Sequence, residues 1–139
     1  MKALLALASI TLMSACAATR PIEPHLASTA TDFADAQTVT VTLSNFRFTP
    51  QDITLVAGKP VVLVLDDTAT GSHDFTAPEF FAAATITPQD AALVAGGQIA
   101  LAGGQQVSLH LVPAAGDYKL VCTHFGHAAL GMTGSIKVH

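Results

Sequence analysis

The sequence predicts an all-β fold, an antiparallel β-sandwich with one short helix. Residues 38–43 alternate polar and apolar side chains, which is the period-2 pattern of a half-buried strand. Similar short apolar runs recur along the chain, and Gly and Pro residues separate them as turns do. The 139 residues suit one domain, and about six to eight short strands suit a sandwich.

The individual elements follow from local composition. Residues 61–65 form a continuous aliphatic run, which predicts a strand buried on both faces. The helix is predicted to start near Thr87, which can cap it, with Pro88 in its first turn and Asp90 completing a capping box. A Gly-Gly pair then ends it. Later strands are predicted over residues 107–112, 118–122 and 135–138.

Residues 1–15 predict an export signal. Lys2 gives a positive start, residues 3–12 form an apolar run too short to span a bilayer, and small residues follow as a cleavage zone. Two processing routes remain open. Residues 13–16 resemble a bacterial lipobox, in which Cys16 becomes the lipidated first residue, but the same region also satisfies the ordinary small-x-small cleavage rule.

We favour the lipobox, which sets the expected organisation of the chain. A lipoprotein-type export signal covers residues 1–15, a flexible tether covers 16–37 and one β domain covers 38–139. The expected location is the periplasm, with a lipid anchor on Cys16 as the only contact with a membrane. We expect a monomer.

Removal of the signal leaves one thiol for the folded domain. Cys122 then has no partner for a disulfide within the domain. In an oxidising compartment a lone thiol is open to oxidation unless it is buried or bound, so metal ligation is the simplest explanation. An inert core thiol is the alternative.

The charge balance argues against nucleic acid as a partner. When Lys2 leaves with the signal, five basic residues stand against ten acidic ones, a net charge of about −5. The sequence therefore offers no basic patch for a phosphate backbone to use.

The most specific pattern is a Cys-x4-His-x4-Met loop formed by Cys122, His127 and Met132. Thiolate, imidazole and thioether are the soft and borderline ligands that copper prefers. Strand parity points the side chain of Cys122 inward together with Leu120. One loop cannot easily close a trigonal site alone, and His73, 49 residues before Cys122, is the obvious further donor.

From about residue 38 onward the chain resembles the cupredoxin family, the group of plastocyanin, azurin and rusticyanin. Residues 122–127, Cys-Thr-x-x-Gly-His, are similar to azurin, and residues 126–134, Gly-His-Ala-Ala-Leu-Gly-Met-x-Gly, resemble rusticyanin. Residues 72–75, Ser-His-Asp-Phe, resemble the upstream ligand segment of the family, commonly Gly-His-Asn-Phe. The ligand loop is the most specific part of the match.

The resemblance implies a Greek-key sandwich that is not an enzyme and that holds one type 1 (blue) copper ion, as Cu(I) or Cu(II). The implied ligands are His73, Cys122, His127 and Met132. His127 would lie near the surface and pass electrons to a docked redox protein, and His73 would be buried with its tautomer fixed by hydrogen bonds. The alternative function is copper sequestration or delivery, with copper donor or acceptor proteins as partners.

Two residues depart from the family pattern. His124 places an extra imidazole two residues from Cys122, where it could replace a ligand, recruit a second metal or face solvent. Asp74 stands where the family commonly has Asn, which ties the two ligand loops together. A carboxylate can still accept hydrogen bonds from loop amides or from the Thr123 hydroxyl, and its charge should favour Cu(II) and lower the potential.

Other interpretations of the loop have less support. Met132 could be a packing residue instead of an axial ligand. Cys122 could be a nucleophile with His127 as its base, but the sequence contains neither a nucleophile turn nor an oxyanion-hole motif to accompany them. A binuclear copper loop needs two cysteines, and this loop has one.

Overall fold

Two β-sheets form a sandwich in the computed structural model, which describes residues 21–139. The strands are β1 (His25–Leu26), β2 (Gln37–Ser44), β3 (Arg47–Thr49), β4 (Asp52–Leu55), β5 (Val61–Asp67), β6 (His73–Thr76), β7 (Thr85–Ile86), β8 (Gln98–Leu101), β9 (Gln106–Val112), β10 (Gly116–Val121) and β11 (Thr133–Val138). One sheet has the order β1-β7-β9-β5-β2-β3 and the other β4-β11-β10-β6-β8. The predicted export signal and Cys16 lie outside the described residues.

The predicted sandwich is confirmed, but its sheets are mixed and not purely antiparallel. β2 runs parallel to β5, β4 to β11, and β1 to β7. The reason is a change of sheet: after the antiparallel pair β2–β3 the chain crosses to the second sheet as β4, and it returns as β5 beside β2. Neighbouring strands that are joined by such a crossover, and not by a hairpin, can run parallel.

Strand β5 is buried on one face only, which corrects the prediction of two buried faces. Every second residue from Val61 to Asp67 is buried, and the three between them are half-buried. The strand lies inside its sheet, so one face packs on the core while the outer face is only partly covered. The same alternation carries Asp67, the last residue of β5, into the interior.

The α-helix lies earlier in the chain than predicted. Helix α1 covers Pro78–Ala83, and its Phe80 and Phe81 are both buried in the core. Proline at the start of a helix loses no hydrogen bond that the helix needs. A helix of six residues is too short to show a 3.6-residue period, which is why the pattern missed it. No helix within residues 21–139 is long and apolar enough to cross a membrane.

The segment predicted to be α-helical forms turns and a 3₁₀ helix over Ala91–Val94. The carboxylate of Asp90 accepts hydrogen bonds from the Thr87 hydroxyl at 2.9 Å and from the backbone N–H of His110 at 2.8 Å. Asp90 is therefore tied to strand β9 and does not cap a helix.

A hydrophobic core fills the space between the sheets and reaches the predicted ligands. The ring of Phe75 lies 5.9 Å from the rings of both Phe48 and Phe81, measured between centroids. Cys122 and Met132 belong to the same buried cluster. The side chains of the candidate site are thus held by the packing of the core.

Part of the segment predicted to be a tether packs against the domain. The backbone N–H of Ile22 donates to the carbonyl of Ala95 at 3.0 Å, and that of Ala27 donates to the carbonyl of Ile86 at 2.8 Å. Between them, β1 adds a short parallel strand to β7. The folded part of the chain thus reaches upstream of residue 38.

Candidate metal centre

The predicted ligands converge on one end of the sandwich. Strand β5 ends at Asp67, β6 begins at His73, and Cys122 directly follows β10. Val121, the last residue of β10, pairs antiparallel with Thr76, the last residue of β6, so the start of β6 lies beside the residues that follow β10. The loop over residues 122–132 then leads into β11, so two strand ends and one loop form the site.

The loop after β10 is closed by its own backbone. The N–H of Cys122 donates to the carbonyl of Met132 at 3.1 Å, and the N–H of Met132 donates to the carbonyl of His127 at 3.0 Å. Gly126 and Gly131 take positive φ angles of 80° and 106°, a region that residues with a side chain rarely adopt. These features hold the three loop residues of the predicted site in one tight turn.

The structure places three of the four predicted ligands together. Sγ of Cys122 lies 3.5 Å from Nδ1 of His127, and the ring centroids of His73 and His127 are 5.1 Å apart. Met132, the fourth, is fully buried in the same cluster as Cys122. Within residues 21–139, no three His, Cys, Asp or Glu side chains are already gathered closely enough to hold a metal ion. In donor chemistry the set still fits copper, because it combines a thiol, two imidazoles and a thioether.

His73 is buried and is held by a carboxylate. Its exposed fraction is 1%, and its Nδ1 lies 3.0 and 3.2 Å from the two carboxylate oxygens of Asp67. A carboxylate can only accept, so Nδ1 of His73 is the donor. The expectation of a buried, hydrogen-bonded His73 is confirmed, and its partner is a residue that sequence reasoning had not singled out.

Asp74 ties the two ligand segments together. Its carboxylate accepts hydrogen bonds from the Thr123 N–H at 2.9 Å and from the Thr123 hydroxyl at 2.8 Å. The Thr76 hydroxyl donates a further bond at 2.6 Å. The prediction that a carboxylate can serve in this position is confirmed. Its Oδ2 also lies 3.8 Å from Sγ of Cys122, which places a negative charge next to the predicted thiolate.

Burial and nearby charges shift the pKa values of two candidate ligands. Burial raises the pKa of the Cys122 thiol, and the Asp74 carboxylate raises it further, while backbone N–H groups of the two ligand segments oppose the rise. The pKa of His127 is lowered, first by desolvation and then by the neighbouring imidazoles of His73 and His124. A neutral imidazole is ready to bind a metal, whereas the thiol must release its proton on binding.

Half-buried His127 forms the outer side of the site. Its ring packs edge-on against Phe46, with 5.1 Å between centroids, and stacks on His124 at 5.3 Å. The neighbouring side chains of Phe125 and Leu130 are 102% and 63% exposed. The result is an apolar rim around an imidazole.

The fold and the residues at its end define a class of protein, a small β-sandwich with a buried thiol, two imidazoles and a thioether at one pole. The family model of the cupredoxin-like domain matches residues 3–132. The chain therefore belongs to the cupredoxin-like family. No curated protein sequence matches it significantly.

Solved structures of auracyanins share the fold. Reduced auracyanin from the photosynthetic bacterium Roseiflexus castenholzii is 19% identical with a TM-score of 0.56, and the match covers 75% of this chain and 98% of that one. Auracyanin B is 21% identical with a TM-score of 0.56, covering 88% and 99%. Auracyanin A, a "blue" copper protein from the green thermophilic bacterium Chloroflexus aurantiacus, is 20% identical with a TM-score of 0.50, covering 73% and 99%.

Two residues of the site escaped the sequence reasoning. Asp67 lies two residues beyond the aliphatic run that predicts the strand, and strict alternation along β5 would have placed it on the inner face. Phe46 reaches His127 from the turn between β2 and β3, where it has a positive φ of 61°. No local pattern signals the contact of Phe46, because only the fold brings that turn to the ligand loop.

Proposed function

We propose that the protein is an exported type 1 copper protein that carries single electrons between redox proteins. The observation that carries the proposal is the buried Cys122 thiol 3.5 Å from the His127 imidazole, at the end of a cupredoxin-like domain. His73 completes a set of three strong donors, and Met132 is the candidate for the weak axial one. The description of auracyanin A as a "blue" copper protein points in the same direction.

The residues of the site divide between holding the metal and exchanging electrons. When bound, the copper ion supplies the one-electron couple between Cu(II) and Cu(I). Cys122 follows a strand in the core, and His73 is fixed by its bond to Asp67, so both donors have little freedom to move. A site that moves little needs little reorganisation when its charge changes. His127 offers its outer edge to the partner.

The exposed surroundings of His127 support a protein partner. Phe125 and Leu130 present apolar side chains to solvent beside the ring, and Phe46 is 39% exposed next to them. Apolar surface around His127, through which electrons would pass, can be buried on docking. This favours a short-lived complex between two proteins. We therefore propose a carrier without catalytic turnover of its own.

Periplasmic location, a monomeric state and a lipid anchor on Cys16 are part of the proposal. Strand β1 pairs with β7, and β7 pairs with Leu111 and Val112 at the end of β9. The other end of β9, at Gln106, lies beside Asp66 and therefore near the site. A chain that joins the domain through β1 thus enters at the pole opposite the ligands. An anchor upstream would leave the ligand pole facing away from the membrane.

Measurement of the reduction potential and of copper retention tests the proposed role. We expect a reversible one-electron couple on an electrode, with copper kept in both oxidation states and fast self-exchange. Loss of copper on reduction, or its transfer to an acceptor protein during cycling, would instead establish copper handling as the function.

Copper sequestration or delivery is the second candidate, and His124 is the observation that favours it. Its side chain is 41% exposed, it stacks on His127, and its Nε2 lies 3.8 Å from Oδ2 of Asp74. An imidazole in this place could pass copper between solvent and the site. If it does, His124→Ala should slow copper uptake and removal by a chelator, and His25→Ala, at an exposed histidine of β1, should not. Equal rates in both variants leave electron transfer as the function.

A further inference from the structure

The start of strand β11 is held by one residue of the turn between β3 and β4. The backbone carbonyl of Gln51 accepts a hydrogen bond from the N–H of Ser135 at 3.1 Å. The side-chain Nε2 of Gln51 donates to the carbonyl of Thr133 at 3.0 Å. Gln51 therefore binds the chain on both sides of Gly134, and we call these two bonds the Gln51 clamp.

Gly134, which lies between the two bonds, has no room for a side chain. A Cβ atom at this position would collide with the carbonyl oxygen of Gln51, and it would lie 3.3 Å from both the carbonyl carbon of Gln51 and Cδ2 of Leu120. The oxygen belongs to the backbone and is bonded to Ser135, so it cannot turn away as the end of a flexible side chain could. Any larger residue at position 134 must therefore displace the turn or the strand.

The Gln51 clamp lies directly beside Met132, the candidate axial ligand. Thr133, which receives the side-chain bond of the clamp, is the next residue along the chain. The backbone of Met132 is bonded within the site, because its N–H donates to the carbonyl of His127 at 3.0 Å and its carbonyl accepts from the N–H of Cys122 at 3.1 Å. The clamp thus links this end of the ligand loop to a separate turn of the domain.

The position of an axial thioether depends on the chain that carries it. The axial bond of a type 1 site is long and weak, yet the reduction potential depends on it. A weak bond exerts little force on its own sulfur atom, so the backbone next to Met132 decides where that atom lies. Residues that hold a ligand from behind can therefore tune a metal without touching it.

We propose that Gln51 and Gly134 are positioning residues for Met132. The Gln51 clamp fixes where the candidate axial thioether lies relative to Cys122, and in this way it sets the reduction potential. Gly134 is required because only a residue without a side chain lets the clamp close. This inference rests on the proposed copper function, but the clamp itself exists without metal.

Gly134→Ala tests the clamp in the metal-free protein. The added methyl group should open the clamp, so the amide of Cys122, which donates to the Met132 carbonyl, should exchange its hydrogen about tenfold faster, as measured by NMR. Gly71→Ala is the matched control, because a Cβ atom at Gly71, in the loop before His73, would meet nothing within 4 Å. The control should leave the rate unchanged. An unaltered rate in Gly134→Ala, or an equal rise in both variants, would overturn the proposal.

The copper-loaded protein tests the effect on the potential. In Gly134→Ala the thiolate-to-copper band should persist, and the reduction potential should rise towards that of Met132→Leu, because a displaced sulfur binds more weakly. If Gly134 acts through Met132, the double variant should have the same potential as Met132→Leu alone. A further shift in the double variant would show that Gly134 acts by another route and would refute the positioning role.

Gln51→Met is a second and milder variant, which serves if Gly134→Ala does not fold. It removes the Nε2 donor but keeps the backbone bond to Ser135, so the same changes in exchange rate and potential should appear at smaller size. No change in either quantity would overturn the proposal. If the wild-type protein binds no copper, the proposed function fails, while the exchange rate of the Cys122 amide still decides whether the clamp holds the ligand loop.

Discussion

The two histidines of the site lie in contrasting surroundings. His73 begins a strand, is 1% exposed and is bonded to a carboxylate that is itself buried. His127 lies in a loop, is half-buried, and contacts Phe46 and His124 through its ring faces and edges. One imidazole is held by the core of the protein, and the other is presented at its surface.

The difference bears on the proposed function, because it would let a small sandwich hold a metal firmly and still exchange electrons with a partner. The strand half of the site, which comprises Asp67, His73 and Phe75, takes its rigidity from the sheets and the core. The loop half, residues 122–132, takes its shape from backbone hydrogen bonds within the loop.

Removal of a phenyl ring should cost far more in the strand half than in the loop half. Phe75 is 0% exposed and packs against Phe48 and Phe81. Phe75→Ala should lower the free energy of unfolding by about 3–5 kcal/mol, because it leaves a cavity in the core. Urea unfolding of the metal-free protein measures the change.

Phe125→Ala is the matched control for the core substitution, since Phe125 is fully exposed. Its effect on the free energy of unfolding should stay within about 0.5 kcal/mol, as for most surface changes. If the two substitutions destabilise the protein equally, the contrast between a core-held half and a surface loop is wrong.

Substitution of Met132, the candidate axial ligand, tests whether the loop half of the site supplies this ligand. Met132 is fully buried, and Met132→Leu conserves most of its volume, so it should destabilise the fold by less than about 1.5 kcal/mol. We expect the visible thiolate-to-copper band to persist and the reduction potential to rise, because the axial ligand tunes the potential of such a site. An unchanged spectrum and potential would show that Met132 is only a packing residue.

Asp74 links the strand half of the site to the loop half through its hydrogen bonds from Thr123, and its charge can be removed without removing this link. Asp74→Asn keeps an oxygen that can accept the Thr123 N–H but removes a negative charge 3.8 Å from Sγ of Cys122. The potential should rise and the visible band should remain. Asp117→Asn, at an exposed position of β10, also removes one negative charge and is therefore the control for the change in net charge alone. A fall in potential in Asp74→Asn would contradict the charge argument.

The smallest effect should come from a carboxylate whose hydrogen bonds do not involve the site. Burial alone would raise the pKa of Asp90, but bonds from the N–H and ring of His110 and from Thr87 outweigh it and hold the pKa below its ordinary 3.8. A lowered pKa stabilises the fold above pH 3.8, and this stabilisation is lost as the pH falls through the lower, folded-state value.

Asp90→Asn tests this pH dependence. The free energy of unfolding of the wild type should exceed that of the variant at pH 6, and the gap should narrow as the pH falls below about 4. Urea unfolding across that range measures the gap. If the difference in the free energy of unfolding between wild type and variant is the same at every pH, the destabilisation comes from packing and not from the charge of Asp90.

Much of the candidate site could be predicted from the sequence because its predicted ligands lie in short, regular patterns. The spacing of Cys122, His127 and Met132 within one loop and the alternation along β10 are local features, and the structure brings the first two together with His73. The sandwich was predictable from recurring short strands. Asp67 was missed because its role depends on a strand parity that the aliphatic run of β5 concealed.

The errors in the fold have related physical causes. The parallel strand pairs depend on crossovers between sheets, which leave no periodic signal in the sequence. The predicted helix failed because Asp90 bonds to His110 on a distant strand, and the actual α1 is too short to show its own period. In both cases a contact between distant residues overrode a local preference.

The central claim is that Cys122 binds copper as a thiolate, and the visible spectrum of the purified protein titrated with Cu(II) tests it most directly. The account predicts an intense thiolate-to-copper band in the wild type and its complete loss in Cys122→Ala. A wild-type protein that stays colourless with Cu(II), or a Cys122→Ala variant that binds the ion equally well, would contradict it.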